Sequence, residues 1–324
     1  MSAIICFIFL RDMMEFLSQY GLFLLKTVTL VIATLLLIAG IFSIGRKPRS
    51  KLEVTSLNEQ HEHVHSLMLK EILGKKAEKK KKDKKKHPTL YVIDFHGDIK
   101  ASQVEQLREE VSAILSIAKP EDEVLVRLDS PGGSVNGYGL AAAQLQRIRD
   151  KNIPLTVSID KVAASGGYLM ACVANCIIAA PFAIIGSIGV VAQIPNFHRW
   201  LKKNNVDVEL LTAGEYKRTL TLFAENTDKG RKKFQEDLEK IHTVFRDYVL
   251  SNRSQLDIEK VSTGEHWLAK DAFDLRLVDK LATSDDYLIG KMQNFKAFKL
   301  TIHSKGSLVN KLIKPVMNLM HPWA

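Results

Sequence analysis

The sequence predicts an α/β domain with a largely parallel sheet, preceded by a transmembrane helix. Three observations carry this. Short β-branched runs alternate with helical periods from Thr89 onward. Two glycine-rich turns, DSPGGSV and VAASGG, each fall where a strand gives way to a helix. An uncharged apolar stretch precedes everything else. Buried strands separated by helices are the pattern of parallel sheets covered on both faces.

The apolar stretch comes first. Thr27 to Ile44 is 18 residues without a charge, and YGLFLL extends it upstream, giving a span of about 22–44. At about 1.5 Å per helical residue this crosses a hydrocarbon core of about 30 Å. The flank GRKPRSK reads as a stop-transfer signal and not as a cleavage site, so an uncleaved anchor is expected over 1–49. Arg46, Lys47, Arg49 and Lys51 crowd one side of the span, which by the positive-inside rule favours the cytoplasm for that flank.

Residues 50–88 are polar and lysine-rich and read as a linker with helical parts such as SLMLKEIL. The formal charge of the chain is +10, and the run Lys75 to Lys86 holds nine lysines against two acids. A nucleic-acid-binding domain would spread its basic residues over a folded face, so this run is read as solvated and no nucleic acid is expected as a partner. The composition, 46% apolar and 25% charged, is that of a chain able to bury one sizeable core. Cys6, Cys172 and Cys176 form no disulfide framework, the last two falling in one apolar stretch read as helical. HEHVH, at His61 to His65, lies outside any strong structural pattern, and no functional metal is predicted.

The folded domain is expected over 89–284. TLYVIDFHGDI reads as its first strand, and Val104, Leu107, Val111 and Leu115 mark a helix. EVLVRL is a strand, Leu140 to Asp150 a helix, PLTVSI a strand, YLMACVA a helix and NCIIAA a strand. Further on, Phe197 to Asn205 reads as a helix and Val208 to Leu211 as a short strand. A long amphipathic helix over about 228–251 carries Phe234, Leu238, Ile241, Phe245, Tyr248 and Val249. Residues 285–324 are assigned to a basic C-terminal tail.

Chemistry is sought at the strand ends. In SPGGSV, Gly132 and Gly133 let the backbone approach a ligand, and the following helix start offers free N–H groups. This suits an oxyanion hole, although a plain tight turn reads the same way. In VAASGGY, Ser165 stands among Ala163, Ala164, Gly166 and Gly167, either as a nucleophile or as a helix N-cap. None of the ten histidines falls in a small-residue loop that would suit a base. A lysine can serve if burial lowers its pKa from about 10.4. Lys217 in TAGEYKRTL is a candidate, equally readable as a solvated surface lysine, whereas Lys161 flanks Asp160 and stays charged.

Together, DSPGGSV, KVAASGGY, GSIGV, AGEYK and TGEHWLAKDAFDLRLVD resemble, in order, the signal peptide peptidase A family of serine peptidases, over about 89–282. The anchor, charged linker and single domain resemble its short membrane-bound branch. The resemblance implies a crotonase/Clp protease-like fold of repeated strand-strand-helix units. It implies a Ser–Lys dyad falling on Ser165 and Lys217, with Ser187 orienting the lysine and Gly132, Gly133 and Gly166 near the oxyanion. It also implies an endopeptidase at the inner membrane, periplasmic in its catalytic domain, acting on peptides or signal-peptide remnants. No cofactor is expected. The partners implied are peptide substrates, the lipid bilayer and further copies of the chain as a homo-oligomer. Two departures stand out: Arg218-Thr219-Leu220 after the lysine, and a linker unusually rich in lysine. A Ser-His-Asp peptidase of the Clp kind would place its histidine at about Val190, which excludes that reading. An acyl-CoA crotonase would share the fold without accounting for the Ser/Lys pair or the anchor. An inactive membrane scaffold would share the fold without the chemistry.

Overall fold

The computed structural model describes residues 18–35, 51–74 and 87–303. Cys6, the residues 36–44 of the expected span, the lysine run and the tail beyond 303 lie outside the described residues.

Helix α1 (Ser18–Leu35) is long and apolar enough to cross a membrane. Its three threonines are satisfied within the helix. Thr27, Thr29 and Thr34 donate their hydroxyls to the carbonyls of Phe23, Leu25 and Leu30 at 2.8, 3.0 and 2.7 Å. Hydrocarbon supplies no partners, so this internal pairing is what a lipid-facing helix requires.

The second unit runs from Leu52 to His303. Its elements are β1 (Lys51–Ser56), α2 (Leu57–Leu73), β2 (Thr89–His96), α3 (Val104–Leu115), β3 (Glu123–Asp129), α4 (Val135–Asp150), β4 (Leu155–Ile159), β5 (Val162–Ala164) and α5 (Gly166–Ala171). They continue through β6 (Cys176–Ala179), β7 (Ile184–Gly186), α6 (His198–Lys203), α7 (Asp228–Asn252), α8 (Ile258–Val261), β8 (His266–Leu268), α9 (Ala269–Asp274), β9 (Lys280–Leu281), α10 (Ser284–Lys291) and β10 (Lys296–His303).

Seven strands form the main sheet in the order β1-β10-β2-β3-β4-β6-β9, and β5, β7 and β8 form a smaller one. From β10 to β9 every pairing is parallel. Each repeat places one strand in the main sheet and the next in the small one. β4 is followed by β5 and α5, β6 by β7, and β3 by a one-residue parallel bridge, Ser130 to Ala163, before α4. This is the strand-strand-helix repeat of a crotonase/Clp protease-like α/β domain, which the family resemblance implied. The core lies between the main sheet and the helices. Ile93, Phe95, Val126, Val157, Leu107, Ile114, Tyr138, Leu145 and Tyr168 are fully buried there. A smaller cluster of Leu90, Val92, Leu125, Leu288 and Ala297 covers one end of the sheet's other face.

The structure moves two boundaries. The linker assigned to 50–88 contributes β1 and α2, and the tail assigned to 285–324 contributes most of α10 and all of β10. A parallel sheet leaves β2 with an open edge, and KAFKLTIH fills it, with β1 beyond. Asn58 ties these pieces together. Its amide donates to the carbonyls of Met292 and Phe295 at 3.3 and 3.2 Å and accepts from the Ala297 N–H at 2.7 Å. Two smaller expectations also change. Val208 to Leu211 forms no strand, because no strand is paired beside it. Cys172 and Cys176 do not share one helical stretch, since α5 ends at Ala171 and Cys176 opens β6, the strand read from NCIIAA.

Candidate active site

Ser165 sits between β5 and α5 with φ +51° and ψ −118°. A non-glycine residue held there is strained, and strain of this kind persists only where surrounding contacts hold it. Those contacts are visible. The Ser165 N–H donates to the Gly186 carbonyl at 2.8 Å. Ser187, the next residue, is also at positive φ (+52°), and its N–H donates to the Glu265 carbonyl at 2.6 Å. A Cβ on Gly186 would lie 2.7 Å from the Trp267 ring, which packs on that turn. Thus KVAASGGY, GSIGV and TGEHW, far apart in sequence, form one tied structure.

The SPGG turn joins them. Gly132 has φ +90°, and a Cβ there would meet the Ala164 carbonyl at 2.7 Å and the Ser165 Cβ at 2.8 Å. The turn is held from beneath by a buried hydroxyl pair. Tyr138 donates to the Asp98 carbonyl at 2.8 Å and lies 2.7 Å from Ser130 Oγ, which accepts the Gly132 N–H at 3.2 Å. The Gly132 N–H is therefore engaged inside the turn, which departs from its expected role beside an oxyanion. Gly133 and Gly166 line the cleft described next.

Ser165 opens onto an apolar cleft of about 440 Å³. Val135, Gly139 and Ala142 of α4 form one wall and Leu169 of α5 another. The third wall comes from α7, through Ile241, Val244, Phe245 and Tyr248. Amphipathic spacing marked this face of α7 as core; Val249 is core, Phe245 belongs to both, and Ile241, Val244 and Tyr248 are cleft wall. The Tyr248 hydroxyl is buried with no partner among the described residues, and burial pushes its pKa up to about 12. Among the described residues no histidine lines the cleft, and Val190 lies in it.

Lys217 is placed elsewhere. The AGEYK turn is exposed, with Gly214 at φ +97° and the Lys217 N–H donating to the Gly214 carbonyl at 3.2 Å. It docks on the start of α7. Glu215 pairs with Lys229, and the Tyr216 ring lies beneath Lys229 and Lys233 at 5.8 and 5.7 Å. The cleft uses the other half of α7. Lys233 and Val244 are about 16 Å apart along a helix rising 1.5 Å per residue. Within one chain the structure gathers Ser165, Ser187, Gly132, Gly133 and Gly166, and leaves Lys217 outside the cleft.

The chain matches two family descriptions, "Peptidase family S49 N-terminal" over residues 15–145 and "Peptidase family S49" over 147–297. It is 47% identical over 341 residues to the probable protease SohB of Haemophilus influenzae, covering 96% of this chain and 97% of that protein. The chain belongs to peptidase family S49. The probable protease SohB of Buchnera aphidicola from Schlechtendalia chinensis is 50% identical over 86% of this chain and its own full length. A solved membrane-bound stomatin-specific protease in complex with a substrate peptide shares 16% identity, covering 72% of this chain and 99% of that chain, with a TM-score of 0.43. By its family matches and its two SohB relatives, this S49 chain is a SohB-type peptidase.

Proposed function

We propose that the protein is a membrane-anchored serine endopeptidase with Ser165 as nucleophile and Lys217 as general base. The observation that carries the first half is Ser165 at a strained positive φ, opening on an apolar cleft beside Gly133 and Gly166. Neutral Lys217 takes the Ser165 hydroxyl proton as Oγ attacks a peptide carbonyl. The N–H groups of Gly133 and Gly166 hold the oxyanion. Lys217 then passes its proton to the leaving amine, and water releases the acyl-enzyme.

A lysine base must be shielded from water to be neutral. In a single chain Lys217 is exposed, amid exposed apolar side chains such as Val191 (91%) and Leu211 (88%). Covering residues 190–227 with a second copy of the chain would bury Lys217 and this surface together, which supports a homo-oligomer as the active form. The apolar walls of the cleft support apolar peptides, including signal-peptide remnants, as substrates. We place the enzyme in the inner membrane through α1, with the domain on the periplasmic side. The basic flank after the span opposes that side, although long domains translocate largely regardless of charge.

A serine-directed acylating inhibitor tests the reading. It should label the protein on the tryptic peptide holding Ser165. Labelling elsewhere, or none under conditions where peptide is cleaved, would exclude Ser165. A reporter fused after Ala324 fixes the side of the membrane.

A further inference from the structure

The main sheet carries a second cleft, on the face opposite the core. Strand register sets Asp94 beside Arg127, and Arg127 beside Ser158. One pleat further on, His96 lies beside Asp129. These residues alternate with the core residues Ile93, Phe95, Val126, Leu128 and Val157, so they share the outer face. With Asp160, Lys161 and Ser284 they enclose about 250 Å³.

Its charges are nearly balanced but unevenly paired. Arg127 holds Asp94 through Nε and Nη2 at 2.6 and 2.9 Å, and Lys299 reaches the same carboxylate at 2.6 Å. Lys161 and His96 approach Asp129 at 3.4 and 3.8 Å. Asp160 accepts from the N–H and hydroxyl of Ser284 at 2.8 and 2.5 Å, and no cation pairs with it among the described residues. Ser158 adds an observation of a different kind. It is 1% exposed, lines the cleft, and its hydroxyl has no partner among the described residues. A buried hydroxyl without a partner is uncommon and calls for one.

We propose that this cleft binds the zwitterionic backbone of a free amino acid or dipeptide, the class of product a peptidase releases. A simple anion entering here meets three carboxylates, and a simple cation meets Arg127 and Lys161. A small molecule carrying both an ammonium and a carboxylate answers each sign. Its carboxylate faces Arg127, whose Nη1 is not used on Asp94, and the head of Lys161, which is 78% exposed. Its ammonium faces Asp160 and Asp129, and Ser158 supplies a hydrogen bond. The site adjoins the catalytic turns. Asp129 precedes Ser130, whose N–H donates to the Val162 carbonyl at 2.8 Å and whose carbonyl accepts from Ala164 at 3.1 Å, next to Ser165. It does not depend on which residue is the catalytic base.

Isothermal titration of the full chain in detergent tests this. Alanine and alanyl-alanine are the ligands; N-acetyl-alanine, alaninamide, acetate and inorganic phosphate are the controls. Saturable binding of the two zwitterions is expected, weakened about ten-fold by blocking either end and by Ser158→Ala, the size of one hydrogen bond. Lys161→Ala, at an exposed position that does not threaten folding, should weaken binding as well. Four results would overturn the site: no saturable heat with either zwitterion, equal binding of the blocked analogues, acetate or phosphate binding as tightly, or unchanged affinity in both variants.

Discussion

The two halves of the proposed dyad are built in opposite ways. The serine half is over-determined. Backbone hydrogen bonds to Gly186, a glycine with no room for a Cβ, and the Ser130–Tyr138 pair all fix Ser165 against the ends of buried strands. The lysine half, residues 190–227, holds one short helix and a closure at its base. There the Phe197 N–H donates to the Leu222 carbonyl at 2.7 Å, and Asn196 donates to Thr221 and Ala224 at 2.9 and 3.1 Å. Between these points most residues are exposed, and among the described residues the AGEYK turn touches only the start of α7 through Glu215 and Tyr216. The contrast teaches that one chain pre-organises the proposed nucleophile and oxyanion donors, whereas the environment that the proposed lysine base would need is absent from the described residues of that chain.

The largest effect should come from the dyad itself. Ser165→Ala is expected to lower kcat on the order of 10⁶, with an unchanged thermal midpoint. Lys217→Ala should lose nearly as much, and Lys217→Arg should not restore it, because a guanidinium stays charged. Full activity in purified Lys217→Ala would break the pairing of the two halves.

Next comes the rigidity of the serine half. Gly132→Ala forces a Cβ against Ser165 and the Ala164 carbonyl at a φ that suits glycine. A fall of about 10²–10³ in kcat is expected, the size of a lost oxyanion contact. Steady-state kinetics with an apolar peptide reads it, and near-wild-type turnover would mean that the turn is slack.

A half-buried ion pair sits at the start of β6, where Asp279 also accepts the Ile177 N–H at 2.7 Å. Arg253, 3% exposed, binds Asp279 through two hydrogen bonds of 2.7 and 2.8 Å and donates to the Arg276 carbonyl. Arg253→Ala takes these hydrogen bonds from Asp279, whose carboxylate stays partly in water, and should cost about 2–3 kcal/mol in denaturant unfolding. An equivalent change at Lys202, in the exposed half, should fall within about 0.5 kcal/mol.

The smallest effect is a pH dependence. Burial works against ionising Asp94, but the hydrogen bonds from Arg127 and Lys299 outweigh it and hold its pKa below the usual value. A carboxyl lowered on folding adds stability that is present above its unfolded pKa of about 3.9 and is lost as pH falls through the folded value. Denaturant midpoints should therefore decline below about pH 4, and Asp94→Asn should remove part of that decline. A midpoint independent of pH across this range would discount the pair.

The sequence by itself determined the fold class, the central strands and four of the motifs that meet at Ser165. Period-two and period-3.6 patterns are local, and glycines at positive φ are needed wherever backbones approach. Short strands such as β5, β7 and β9 were not legible, because two or three residues carry no period. Neither was β10, whose identity as a strand depends on an open edge beside β2. The cleft face of α7 was indistinguishable from core, since apolar spacing does not say what covers it. Only the tertiary structure decided that Gly132 turns its N–H to Ser130, that Ser158 lies buried without a partner, and that Lys217 stays outside the cleft. Each depends on which surfaces meet in space, and spacing along a chain does not encode that.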